Sequence, residues 1–149
     1  MYTQYIDSPL GPVKIAASSA GICEIRFVSN KAPEQRSALT EQAALQLNDY
    51  FSGNLTRFSL PLDAAGTEFQ RRVWQALCRV PFGTTCSYAT IAGDINNIKA
   101  VRAVGAANGR NPIAIVVPCH RVIGANGTLT GYAGGLDKKA WLLKHEQRR

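Results

Sequence analysis

Short runs of apolar and β-branched residues, broken by polar turn clusters, open the chain. Tyr2 to Ile6, Val13 to Ala17 and Ile22 to Val28 read as strands, with Ser8-Pro9-Leu10-Gly11-Pro12 and Ser18-Ser19-Ala20-Gly21 as the turns between them. This order predicts a small antiparallel meander. Between Pro33 and Phe51 the spacing changes: Leu39, Ala43, Leu47, Tyr50 and Phe51 fall on one helical face, and Gly53 follows as a stop. One helix is expected to cover the sheet. A short extended piece over Phe58 to Leu62 leads into Asp63-Ala64-Ala65-Gly66, which reads as a linker. The expected organisation is an N-terminal α/β domain over residues 1–65 and a C-terminal domain over residues 66–149.

The second half opens on Thr67-Glu68-Phe69-Gln70, a capping box that starts a helix with Phe69, Val73, Ala76, Leu77 and Val80 on its apolar face. Pro81-Phe82-Gly83 ends it, and Ser87 can cap a second short helix through Ile91. Asp94 to Asn97 form a turn, and Asn97 is positioned to cap a third helix from Lys99 to about Asn108. Two consecutive short helices joined by a tight turn predict helix-turn-helix geometry. Ala100, Ala103, Gly105, Ala106 and Ala107 leave that helix slim, which suits close packing against another helix as well as approach to a nucleic-acid groove. Arg102, a lone long cation among them, favours the groove, and a slim helix fits the minor groove, about 6 Å wide. Further on, Ile113 to Val117 read as a buried strand that carries Cys119 at its end. A turn at Gly124 to Gly127, a loop at Gly131 to Gly135 and a closing helix from Asp137 to Gln147 complete the chain. The expected fold class is mixed α/β (α+β), with a small antiparallel sheet and covering helix followed by a mainly helical half.

Charge adds a partner class. Lys and Arg number 17 against 10 Asp and Glu, a net charge of +7 spread along the chain, which is compatible with a polyanion. No apolar run is long enough to span a bilayer, and the first residues carry neither a basic leader nor a hydrophobic signal core, so a cytoplasmic location without membrane contact is expected. Cys23, Cys78, Cys86 and Cys119 lack the close pairing of a zinc site or a disulfide framework and are expected to be free thiols.

A cysteine attacks as its thiolate and needs a neighbour that removes the proton or stabilises the charge. His120 adjoins Cys119, but adjacent residues on an extended strand point to opposite sides, so contact requires a turn, which Pro118 permits. Glu146 in the closing helix can orient the imidazole, giving a thiol, base and carboxylate relay. From the residues alone two readings stand: a cysteine buried in the core beside a helix-turn-helix DNA-binding module, such as a sensor or regulator, or a nucleophile in a relay of the cysteine-hydrolase type. A hydrolase turns over repeatedly, whereas a sensor leaves Cys119 unmodified.

Pro118-Cys119-His120-Arg121-Val122-Ile123, preceded by Asn111-Pro112 and followed by Gly131-Tyr132-Ala133-Gly134-Gly135, resembles the active-site signature of the O6-alkylguanine-DNA alkyltransferases. The likeness runs from about Phe69 to Glu146 and includes Phe82-Gly83, Ser87-Tyr88, Ala100-Val101-Arg102-Ala103-Val104-Gly105 and Trp141-Leu142-Leu143-Lys144-His145-Glu146. It implies direct DNA repair in which Cys119 takes the alkyl group from O6 of guanine, once per molecule, with no cofactor and as a monomer. By the same resemblance His120 acts on the thiol through a water and Glu146 polarises His120. Asn111 holds the active-site turn, Tyr88 reaches guanine N3 and contacts DNA, and Tyr132 lines the alkyl pocket. Main-chain groups of Cys119, Val122 and Ala133 read the base edge. Arg102 fills the gap left by an everted nucleotide, and Ala103 contacts phosphate. Ala114 and Thr130 fall at the pocket rim. Relatives with a structural zinc place its ligands in the N-terminal half, where only Cys23 is present, so no metal is expected.

Overall fold

The computed structural model describes residues 1–147. The chain divides into two compact units, Met1–Ala65 and Gly66–Arg149.

In the first unit β1 (Tyr2–Ser8), β2 (Gly11–Ala17) and β3 (Ile22–Phe27) form an antiparallel sheet in the order β1-β2-β3. Ser8 pairs with Gly11 at the first turn, where Gly11 takes φ +100°, a conformation that costs glycine little. Val13, Ile15 and Ile25 are fully buried on the face that α1 (Ala38–Phe51) covers with Leu47 and Tyr50. The helix starts later than the periodicity from Pro33 suggests. Ser37 caps it in a reciprocal box with Thr40, while Gln35 stays extended and bonds Thr3 through both main-chain groups, at 2.7 and 3.0 Å. The sheet edge therefore claims the residues before the cap. The piece before residue 63 runs parallel to the start of β3, with Ile22 N donating to Pro61 O at 2.8 Å and Asp63 N to Ile22 O at 2.7 Å.

In the second unit the Thr67–Gln70 capping box starts α2 (Glu68–Leu77) as its sequence requires. Ser87 caps α3 (Tyr88–Asp94), accepting from Thr90 N at 3.2 Å. That helix continues past Ile91 to Asp94. The third helix, α4 (Val101–Gly109), begins two residues later than expected, with Ala100 at its N-cap and no side-chain cap. Asn97 instead closes the preceding turn through its carbonyl, which accepts from Ala100 N at 2.9 Å, and Asn96 takes a left-handed φ of 57°. α3 and α4 pack on each other and on α2, the helix-turn-helix arrangement. Trp74 of α2 donates its indole N–H to Ala107 O of α4 at 2.9 Å. Its ring lies over Gly66, where a Cβ would stand 2.5 Å from the indole. A two-residue parallel ladder, β4 (Cys86–Ser87) with β5 (Val122–Ile123), joins the start of α3 to the chain beyond Cys119. The closing helix is α5 (Leu136–Gln147).

One expected strand is absent. Residues 113–117 form a turn in which Val116 N donates to Ala114 O at 2.8 Å and Val117 N to Ile113 O at 3.1 Å, with Ile115 at φ +71°. Ile113, Ile115 and Val117 are buried all the same, so the apolar run reports depth in the core and not strand geometry.

Candidate active site

A β-branched residue with positive φ is strained and persists only where its surroundings determine it, at a cost of about 1–3 kcal/mol. At Ile115 that determinant is Asn111. Its amide nitrogen donates to Val117 O at 2.8 Å and Ile113 O at 3.3 Å, and its amide oxygen accepts from Ile113 N at 3.0 Å. The side chain thus laces both ends of the turn. The chain then enters one 3-10 turn over Cys119–Arg121, closed by Arg121 N donating to Pro118 O at 3.0 Å. This local irregularity, in place of a strand end, sets the directions of Cys119 and His120.

Cys119 is buried, and desolvation pushes its thiol above the usual range. The Asn111 amide and the Lys139 ammonium pull the other way without overcoming burial. Cys119 therefore rests as a thiol, and acting as a nucleophile would require a base to take its proton. His120 is fully buried beside it in sequence. Its Nε2 lies 2.7 Å from Glu146 Oε2. Burial is the main cause that lowers the imidazole pKa, and the Glu146 hydrogen bond only partly offsets it. The neutral ring therefore donates from Nε2 to the carboxylate and keeps a lone pair on Nδ1. That Nδ1 is buried without a protein partner. The same is true of the Tyr132 hydroxyl, whose pKa is raised well above the ordinary value by burial and, next, by the negative charge Cys119 carries once ionised. Asn108 Oδ1 is a third such atom, on a side chain whose amide nitrogen donates to Cys119 O at 3.4 Å. Buried polar atoms are normally bonded, so three unpaired ones about a single cysteine mark a place built for polar groups that arrive with a substrate or solvent.

Two contributors were not picked out in the sequence. Arg121 donates from Nε to Glu146 Oε1 at 2.8 Å, from Nη2 to Oε2 at 3.1 Å and from Nη1 to Val80 O at 2.8 Å, while lying over the Phe82 ring. It holds the carboxylate in place beside His120. Lys139, fully buried, donates to Val122 O at 2.7 Å and to Thr130 O at 3.1 Å. Arg121 stands inside the Pro118–Ile123 motif and could have been noticed there; Lys139 follows only from the way α5 folds back.

Tyr88, the first residue of α3, reaches Thr130 hydroxyl to hydroxyl, and its ring stands 3.9 Å from where a Cβ on Gly105 of α4 would be. Cys119, His120, Glu146 and Asn111 are thus gathered in one cluster, with the Tyr132 hydroxyl against it. Val122 presents a carbonyl already bonded to Lys139, and Ala133 is exposed in the loop. Arg102 and Ala103 lie on the exposed face of α4.

Comparison with known families settles the kinship. Residues 68–148 match the family described as 6-O-methylguanine DNA methyltransferase, DNA binding domain, and residues 1–64 match the ribonuclease-like domain of the same name. The chain belongs to the 6-O-methylguanine DNA methyltransferase family. Among its relatives are the methylated-DNA--protein-cysteine methyltransferases of Methanosarcina barkeri, 48% identical with 99% of this chain and 98% of that protein covered, and of Mycolicibacterium paratuberculosis, 51% identical with 96% and 90% covered. The structure of the Mycobacterium tuberculosis family protein OGT in complex with DNA superposes with TM-score 0.91 at 47% identity, covering 99% of this chain and 93% of that one. Within this methyltransferase family fold, Val101, Arg102, Ala103, Ala106 and Gly109 of α4 and Arg110 at its C-cap are exposed, while Val104, Ala107 and Asn108 face inward. Apart from Val101 at its start, the outward face is made of small residues with an arginine near each end.

Proposed function

We propose that this protein repairs alkylated DNA directly, by moving a methyl or larger alkyl group from O6 of guanine to Cys119. The observation that carries the reading is the buried Cys119 set in a polar cluster whose His120 Nδ1 has a free lone pair. The thiol proton passes through a water to Nδ1, and the Glu146–Arg121 pair steadies the imidazole as it becomes charged. A sulfur–carbon bond forms in line with the breaking carbon–O6 bond. The electron pair stays with the purine, which takes up a proton and leaves as neutral guanine. Overall the thiol exchanges its proton for the alkyl group, so each molecule acts once and the chemistry requires no cofactor. Tyr88 donates to N3 of the departing base, Tyr132 lines the alkyl pocket, and main-chain groups of Cys119, Val122 and Ala133 read the base edge.

An O6 substituent in a stacked duplex does not reach a buried sulfur, so the nucleotide is everted, which costs a few kcal/mol. The slim outer face of α4 suits entry from the minor groove, with Arg102 filling the gap and Ala103 against phosphate. Residues 1–65 form a separate α/β domain and residues 66–149 the DNA-binding and transfer domain. The protein acts as a cytoplasmic monomer on double-stranded DNA, and no helix among its described residues is long and apolar enough to cross a membrane.

Incubation with duplex DNA carrying O6-methylguanine should add one methyl mass to the peptide containing Cys119, at one equivalent per protein, and Cys119→Ser should abolish it. An unchanged peptide mass would favour the sensor reading, and release of product beyond one equivalent would favour a hydrolase.

A further inference from the structure

The hydroxyl pair between Tyr88 and Thr130 has a direction that decides what Tyr88 can do. Each hydroxyl has one hydrogen and two lone pairs, and either residue can be the donor. Were Tyr88 to donate to Thr130, its hydrogen would be spent. If Thr130 donates, the Tyr88 hydrogen is left for another acceptor. Purine N3 offers only a lone pair, so a bond between Tyr88 and the base requires Thr130 to be the donor within the pair.

Thr130 is well placed for this. Its carbonyl accepts from the buried Lys139 ammonium, which also bonds Val122 O in β5, so the residue is tied by its main chain to the strand leaving Cys119. Tyr88 follows Ser87 of β4, the partner of Ile123, and its ring faces Gly105 of α4, 3.9 Å from where a Cβ would stand. The ladder thus anchors the backbone just before Tyr88, and the lysine anchors that of Thr130.

Resting on the proposed function, we propose that Thr130 is a positioning residue for the leaving-group step: its hydroxyl donates to Tyr88 Oη and directs the Tyr88 hydrogen at N3 of the departing guanine. As the carbon–O6 bond breaks, its electron pair flows into the purine and the acceptor strength of N3 grows. A hydroxyl that already accepts a hydrogen bond donates more strongly, so the pair stabilises the transition state more than the bound substrate.

The test is single-turnover transfer from O6-methylguanine duplex, with maximal rate and half-saturating concentration measured separately. Thr130→Val keeps the shape and removes the donor; the maximal rate should fall about five- to tenfold, the range of one hydrogen bond, at unchanged half-saturation. Thr130→Ser should restore the rate. In a Tyr88→Phe background Thr130→Val should have no further effect. With 3-deaza-O6-methylguanine, which lacks the acceptor, wild type and Thr130→Val should react alike. A wild-type rate for Thr130→Val, equal slowing on the 3-deaza substrate, or a change confined to half-saturation would each overturn the inference while leaving the proposed function intact. Wild-type protein that never alkylates Cys119 would overturn both.

Discussion

Glu146 is nearly inaccessible, and its two oxygens receive Arg121 in a fork and His120 at one corner. Removing one member of such a buried set leaves a charge uncompensated and typically costs about 3–5 kcal/mol. Arg121→Met should therefore lower unfolding free energy by about that much, measured by urea denaturation. Arg121 also depresses the His120 pKa, behind the larger effect of burial, so the same variant should move the acid limb of the transfer rate to higher pH. His120 supplies a second pH effect. Its folded pKa lies below 6.5 because burial disfavours the charged ring, so the unfolded chain binds the extra proton first. Stability should be full above pH 6.5 and fall as pH drops through and below it, and His120→Gln should flatten that decline in urea titrations at a series of pH values.

Among the elements, α4 has the most divided demands. Val104, Ala107 and Asn108 pack inward, and Gly105 faces the Tyr88 ring. A Cβ there would stand 3.9 Å from the ring, so Gly105→Ala should raise stability by roughly 0.5–1 kcal/mol through helix propensity, read as a shifted denaturation midpoint. Capping chemistry was legible where the side chain makes the bond: Thr67, Gln70 and Ser87 start their helices as their identities imply. Asn97 was misleading because its carbonyl, available on any residue, does the work. The run from Ile113 to Val117 was misread as a strand since burial alone gives an apolar stretch, and the turn is imposed by the Asn111 side chain. The two-residue β4–β5 ladder is too short to leave any periodicity.

At the scale of the molecule, the net charge of +7 bears on encounter with a polyanion. Binding to undamaged duplex should weaken linearly in log Kd against log salt, with a modest slope reflecting a few phosphate contacts. Titrations at several salt concentrations check this, and an affinity indifferent to salt would contradict the contact pattern.

The sequence by itself determined the elements whose causes are local: the meander from its turn residues, the helices from their spacing and caps, and the motif around Cys119 on which the proposed chemistry rests. Tertiary structure alone decided that Arg121 and Lys139 join the site, that Cys119 rests as a thiol and that Tyr88 meets Thr130. Each of these depends on burial or on partners 9 to 42 positions apart in the chain, and desolvation and long-range hydrogen bonds leave no local pattern to read.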